Sequence, residues 1–75
     1  MNIVDVMVHI HPNLSAEKRA RIEEVLGDHD SVVSVHFSPQ HAHELTIAYN
    51  PETLNATTII EMVRQWDEKA TLIGL

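Results

Sequence analysis

Apolar and polar residues alternate at the start of this 75-residue chain. Between Ile3 and Ile10 every second residue is Val or Ile, and the intervening positions include Asp5, Met7 and His9. A period of two is typical of a strand that is buried on one face. We therefore predict a first strand over Ile3 to Ile10 that turns its valine side towards a core and leaves a mixed side open.

Two further stretches repeat this alternation. Val32 to Phe37 and Leu45 to Tyr49 are rich in the β-branched and aromatic residues that strands favour. The segment Ser38 to Ala42 predicts a hairpin turn between them, and Thr71 to Leu75 is predicted to form a short last strand. The positions predicted to face the core are Val33, Val35 and Phe37 in the second strand and Leu45, Ile47 and Tyr49 in the third.

Two segments between these strands repeat their apolar residues every three to four positions, which predicts helices. Ser15 can cap the first helix, which should run through Val25 or Leu26. Gly27 is expected to end this helix in a left-handed conformation. Asn55 can cap the second helix, whose apolar residues are Ile59, Ile60, Val63 and Trp66.

The resulting order of elements is strand, helix, strand, strand, helix, strand. It predicts an α+β fold, the ferredoxin-like βαββαβ sandwich, in which two helices cover one face of a four-stranded antiparallel sheet. Right-handed crossovers make the first two strands parallel, with the third antiparallel between them. Residues 1–75 are expected to form a single domain. The predicted core contains Val4, Val6, Val8, Ile22, Leu26, Val33, Val35, Phe37, Leu45, Ile47, Ile59 and Val63.

Composition narrows the range of functions. Five Lys and Arg residues stand against eleven Asp and Glu residues, a formal net charge of -6, which argues against nucleic acid and anionic membranes as partners. The absence of cysteine excludes disulfides and thiolate metal sites. No basic start followed by an apolar segment precedes the first strand, so we expect a soluble, cytoplasmic protein. No nucleophile, phosphate-binding glycine loop or oxyanion hole is recognisable, and an enzyme is not expected.

Histidines are concentrated at one end of the predicted sheet. The end of the first strand, the end of the second and the start of the third should lie together there. Five of the six histidines fall in this region: His9, His11, His36, His41 and His43. His29, after the first helix, is expected at the far end. His9 and His36 should lie on the open face, whereas the parity of His43 places it on the core side unless the hairpin twists or bulges.

The spacing of His9 and His11 suits a metal site. Two positions along a strand separate their Cα atoms by about 6.6 Å, which lets two imidazoles converge on one ion. An exposed His-x-His pair is also common as plain solvated surface, and the clustering of five histidines favours the metal interpretation. The acidic pair Asp67 and Glu68 is interpreted as solvated loop charge.

The chain resembles the heavy-metal-associated domain family, which includes small copper-chaperone-like proteins and modules of metal-pumping ATPases. The resemblance spans nearly the whole chain and rests on the element order, on Val-Leu-Gly at the end of the first helix followed by Val-Val-Ser-Val, and on the closing Leu-Ile-Gly-Leu. It implies the fold and a history of metal handling. The family's metal motif is Met-x-Cys-x-x-Cys, but this chain has Pro12 and Ser15 at the two cysteine positions.

Two hypotheses fit the loss of both cysteines. In the first, the protein is a small metallochaperone-like protein whose site was rebuilt from histidines, which favours a divalent borderline ion such as nickel, cobalt, zinc or copper(II) over copper(I). In the second, the domain binds no metal and docks a protein partner, or a second copy of itself, through its open face or an edge strand. His9 and His11 lie beside the position of the family's metal-binding loop, which favours the first hypothesis.

Overall fold

The computed structural model describes residues 2–74 of the chain. Its four strands are β1, Val4–His9; β2, Val32–Phe37; β3, Glu44–Tyr49; and β4, Thr71–Gly74. Its two helices are α1, Ala16–Gly27, and α2, Ala56–Val63. The order of these elements is the predicted one. The predicted last residue of β4, Leu75, lies outside the described residues.

The strands form one antiparallel sheet in the spatial order β2-β3-β1-β4. β3 lies between β1 and β2 and is antiparallel to both, and β4 pairs with the other side of β1. β1 and β3 pair without interruption from Val4 opposite Tyr49 to His9 opposite Glu44. The predicted ferredoxin-like α+β fold is therefore confirmed.

One hydrophobic core joins the sheet to both helices. Most of its buried residues come from alternate positions of β1 and β3 and from the apolar sides of α1 and α2, and three come from the adjoining loops, Ile10, Leu54 and Ala70. Because alternate positions of a strand point to one face, both helices cover the same face of the sheet and leave the other open. The buried residues are Val6, Val8, Ile10, Ile22, Leu26, Leu45, Ile47, Tyr49, Leu54, Ile59, Ile60, Val63 and Ala70.

Several predicted core residues lie at the margin of this core. Val4, Val35 and Phe37 are partly buried and pack against it. Trp66, just beyond the end of α2, is also partly buried against the core. The predicted core is therefore confirmed for these positions, although its centre lies on β1 and β3 and its outer part on β2.

Val33 is the one predicted core residue that the structure places in solvent, with 63% of its surface exposed. An irregularity in the pairing of β2 explains the error. Val32 is opposite Tyr49 and Ser34 is opposite Ala48, so Val33 is an extra residue with no partner. The extra residue shifts the period of two, and Val32 packs against the core in its place.

Both predicted helix caps are present. The Oγ atom of Ser15 accepts the backbone N–H of Lys18 at 3.2 Å, and Oδ1 of Asn55 accepts that of Thr58 at 2.8 Å. Each bond satisfies a backbone donor that the first turn of a helix leaves free. Within residues 2–74, neither helix has the combination of length and apolar content that crossing a lipid bilayer requires.

The expectation that Gly27 ends α1 in a left-handed conformation is wrong. Gly27 is the last residue of the helix, and the following C-cap residue, Asp28, keeps a right-handed backbone with φ of -77° and ψ of -12°. The N–H of Asp28 accordingly still donates to the carbonyl of Glu24 at 3.1 Å. The helix thus ends at the glycine without a change of backbone hand at the following residue.

Because the extra residue in β2 leaves Val33 outside the core, the same substitution at Val8 and at Val33 should lower the free energy of unfolding by different amounts. Val8→Thr places a hydroxyl in a site that is 0% exposed and should lower the free energy of unfolding by about 1 to 3 kcal/mol. Val33→Thr keeps a β-branched side chain in solvent and should change it by less than about 0.5 kcal/mol. Urea denaturation followed by circular dichroism measures both. A large loss for Val33→Thr would contradict its position outside the core.

The helical backbone of Gly27 predicts that alanine stabilises this position. Apart from its chain neighbours and the backbone of its own helix, a Cβ atom there meets no atom within 4 Å. Gly27→Ala should therefore raise the free energy of unfolding by roughly 0.5 kcal/mol through its higher helix propensity. The matched control is Ala20→Gly, at an exposed position in the same helix, which should lower it by about 0.5 to 1 kcal/mol. Destabilisation by Gly27→Ala would indicate that the glycine is needed for its backbone conformation.

Candidate metal centre

The end of β1, the end of β2 and the start of β3 lie together at one end of the sheet. His9 at the end of β1 is opposite Glu44 at the start of β3, and Phe37 at the end of β2 is opposite Leu45. His41 and His43 lie in the connection from β2 to β3 and therefore belong to the same end. We call this region the histidine end; its members are His9, His11, His36, His41 and His43.

Three of these imidazoles are in contact. The ring centres of His9 and His43 are 4.9 Å apart, with 65° between the ring planes, and those of His41 and His43 are 5.7 Å apart, with 71° between the planes. The carbonyl of His43 accepts the N–H of Ile10 at 2.8 Å, which ties the hairpin connection to the end of β1. His43 joins the group despite its core-side parity because it precedes β3, and strand alternation does not apply there.

His11 does not belong to this contacting group. β1 ends at His9, so the two histidines do not continue along one strand. The Nδ1 atom of His11 accepts the backbone N–H of Asn13 at 3.0 Å, and the backbone N–H of His11 donates to Asp67. These bonds hold His11 in its own loop, and close ring contacts in the described part of the chain do not include it.

His36 and His29 also stand apart from the contacting rings. His36 lies opposite Thr46 on the open face and is exposed, but it is outside the ring contacts of the described residues. His29 lies between α1 and β2, at the other end of the sheet, and its Nδ1 accepts the N–H of Ser31 at 3.1 Å. In residues 2–74, His11 and His29 are the histidines whose ring nitrogens take part in a hydrogen bond. The hydrogen bonds of the described residues therefore do not occupy the ring nitrogens of the contacting group.

Asp67 has a structural role that the interpretation as solvated charge missed. Its Oδ2 atom accepts the backbone N–H of His11 at 2.6 Å, and its Oδ1 atom accepts that of Lys69 at 3.1 Å. The half-buried carboxylate thereby ties the loop after β1 to the connection between α2 and β4. The local bond to Lys69 is a turn that an Asp favours, whereas the bond to His11 depends on the tertiary fold.

The separation of His9 and His43 suits a shared ion. Zinc binds an imidazole nitrogen at about 2.0 to 2.1 Å, and the ring centre lies about 1.1 Å further, so two rings on one tetrahedral ion have centres about 5 Å apart. The observed 4.9 Å matches this value. The 5.7 Å between His41 and His43 is slightly longer. The separation of these two rings is therefore compatible with a shared ion.

A complete protein-only site is not formed in the described residues. Between residues 2 and 74, no group of three or more His, Cys, Asp or Glu side chains is close enough to hold a metal ion. The charge of the sheet does not repel cations. Its strands contain two carboxylates, Asp5 and Glu44, and neither Lys nor Arg. The ion pair found in the described residues, between Arg21 and Glu24 at 3.5 Å, lies on α1.

Comparison with known proteins adds no family assignment. No protein-family model matches the chain, and no curated protein is similar to it. The resemblance to heavy-metal-associated domains therefore rests on the sequence features named above and on a fold that is compatible with them.

The two bonds of Asp67 predict that its carboxylate stabilises the loop after β1. Asp67→Ala should lower the free energy of unfolding by about 1 to 3 kcal/mol, because two backbone donors lose a charged acceptor. The exposed neighbour Glu68 provides the control, and Glu68→Ala should change stability by less than about 0.5 kcal/mol. Chemical denaturation measures both, and the NMR signal of the His11 amide should move in the Asp67 variant alone. Equal behaviour of the two variants would contradict this role.

Proposed function

We propose that the protein is a small metallochaperone-like protein that binds a divalent borderline ion through the imidazoles of His9 and His43. The observation that carries this proposal is the 4.9 Å separation of two rings that no hydrogen bond occupies in the described residues. Neutral imidazole suits zinc, nickel, cobalt and copper(II), and the absence of thiolate disfavours copper(I).

The other histidines of the histidine end take secondary positions in this proposal. His41 is the nearest further donor, at 5.7 Å from His43 between ring centres. The Nδ1 atom of His11 accepts a hydrogen bond from its loop, so the neutral ring carries its proton on Nε2 and binds an ion only if that bond is given up. His36 is exposed on the open face, in β2, and β3 separates it from His9 in β1. We therefore expect the loss of His11 or His36 to weaken binding less than the loss of His9 or His43.

An origin among heavy-metal-associated domains accounts for the position of the site. The loop from Ile10 to Ser15 occupies the place where that family carries its cysteines, and the contacting rings lie beside the first residue of this loop. In this proposal imidazoles have replaced thiolates at the same end of the same fold. A shallow site with few protein donors suits a carrier that has to release its ion.

A docking domain without metal is the alternative function. Ile3, Val33, Leu72 and Ile73 are the large apolar residues that are exposed in the described part of the chain, and each lies in a strand or directly before one. The charged residues of α1 keep the helical side polar. This distribution favours the sheet as the side on which a partner would bind.

Titration of the isolated protein with zinc, nickel, cobalt and copper(II) tests the metal proposal. Isothermal calorimetry at about pH 7.5 should show binding that His9→Ala and His43→Ala each weaken by roughly tenfold or more.

His29→Ala is the matched control, because this histidine lies at the other end of the sheet and should leave affinity unchanged. Circular dichroism verifies that each variant keeps the fold. If the parent protein binds none of the four ions more tightly than about 0.1 mM, or if all variants bind as the parent does, the proposal is wrong and the docking alternative gains support.

A further inference from the structure

A single copy of the chain offers an incomplete set of ligands. Protein-bound zinc usually has four ligands in a tetrahedral arrangement. The contacting pair His9 and His43 supplies two, and no group of three suitable side chains is assembled in residues 2–74. The remaining coordination positions are therefore left to water or to another molecule.

We propose that a second copy of this chain completes the site, so that one zinc ion is bound by His9 and His43 of both copies. This inference rests on the proposed metal function. In a two-fold symmetric dimer an ion on the axis receives each donor twice, once from each copy. Two imidazoles per copy then give the four nitrogen ligands of a tetrahedral site.

The open face of the sheet permits this approach. His9 lies on that face in β1, between β3 and β4. The positions next to His9 on this face are Met7 in the same strand and Glu44 opposite it on β3. Smaller side chains, Thr46 and Ala48 on β3 and Ser34 on β2, lie further along the face. Sheets packed face to face lie about 10 Å apart, so the midplane is about 5 Å from each sheet, within reach of an imidazole.

Charge makes the open face the favourable side for self-association. Each copy has a formal net charge of -6, so two copies repel each other in most orientations. Among the eleven acidic residues, Asp5 and Glu44 are the two that lie in strands. Contact through the sheets therefore keeps most of the negative charge apart, and a divalent cation at the interface compensates part of the remainder.

The small area of the open sheet face suggests that the proposed dimer depends on the ion. A sheet of three six-residue strands and one four-residue strand covers at most roughly 20 by 19 Å, or about 400 Å² of flat area. Stable protein interfaces bury about 800 Å² on each partner. The flat area of the face is about half of this value, so in this proposal the four nitrogen–metal bonds supply part of the association energy.

Sedimentation equilibrium and native mass spectrometry, with and without zinc chloride, test this inference. We expect a monomer without zinc and a dimer with one zinc ion per two chains. His9→Ala and His43→Ala should each weaken the dimer by about tenfold or more, whereas His36→Ala, on the same face, should leave it intact. Cobalt(II) should give the intense visible absorption of a tetrahedral ion.

A substitution away from the ligands separates the dimer from metal binding. Met7→Lys places a cation at the half-buried open-face position two residues before His9, and two such cations would face each other across the axis. We expect this variant to keep its fold by circular dichroism, to lose the zinc-dependent dimer, and to bind zinc more weakly as a monomer.

The outcomes distinguish this inference from the function on which it rests. Zinc bound to a monomer, one ion per chain, would overturn the dimer and leave the metal function in place. No zinc binding would overturn both. A dimer that forms equally well with and without zinc would overturn the shared ion and favour the metal-free docking function.

Discussion

The uninterrupted pairing of β1 with β3 is the constraint on which the rest of the structure depends. Six consecutive pairs, from Val4 opposite Tyr49 to His9 opposite Glu44, fix the register of the two central strands. A slip of one residue would turn Val6 and Val8 out of the core, at a cost of about 1.5 to 3 kcal/mol for each side chain. The same register directs His9 to the open face. Buried valines that touch no ligand thus determine where the imidazole points.

Alternation along the chain was sufficient to predict the element order and the ferredoxin-like sheet, because each central strand buries one face. It failed at Val33, since an extra residue changes the phase of a strand without changing its composition. It failed again at Gly27, where a residue type typical of helix ends lies within the last turn. Both errors concern the local backbone path, which the hydrophobic pattern does not record.

The candidate site was predictable only as a region. Topology alone placed five histidines near one end of the sheet, but spacing in the sequence favoured His9 with His11. The structure instead brings His43 against His9, because the hairpin connection folds back and bonds to Ile10. His11 is held in its loop by Asp67, which is 56 positions away in the sequence. Contacts made by loops over such distances follow from the tertiary fold and have no periodic signal.

Both outer strands of the sheet are irregular at an exposed apolar residue. β2 carries the unpaired Val33, and the pairing of β4 with β1 shifts between Leu72 and Gly74, which leaves Ile73 without a partner. A regular outer strand offers a row of free backbone groups to which further chains can add without limit, and an extra residue interrupts that row. The two most exposed large apolar side chains of the described residues, Val33 and Ile73, thus lie where the addition of further strands is hindered. In the dimer proposed above, association through the sheet face is two-fold and closes after two copies.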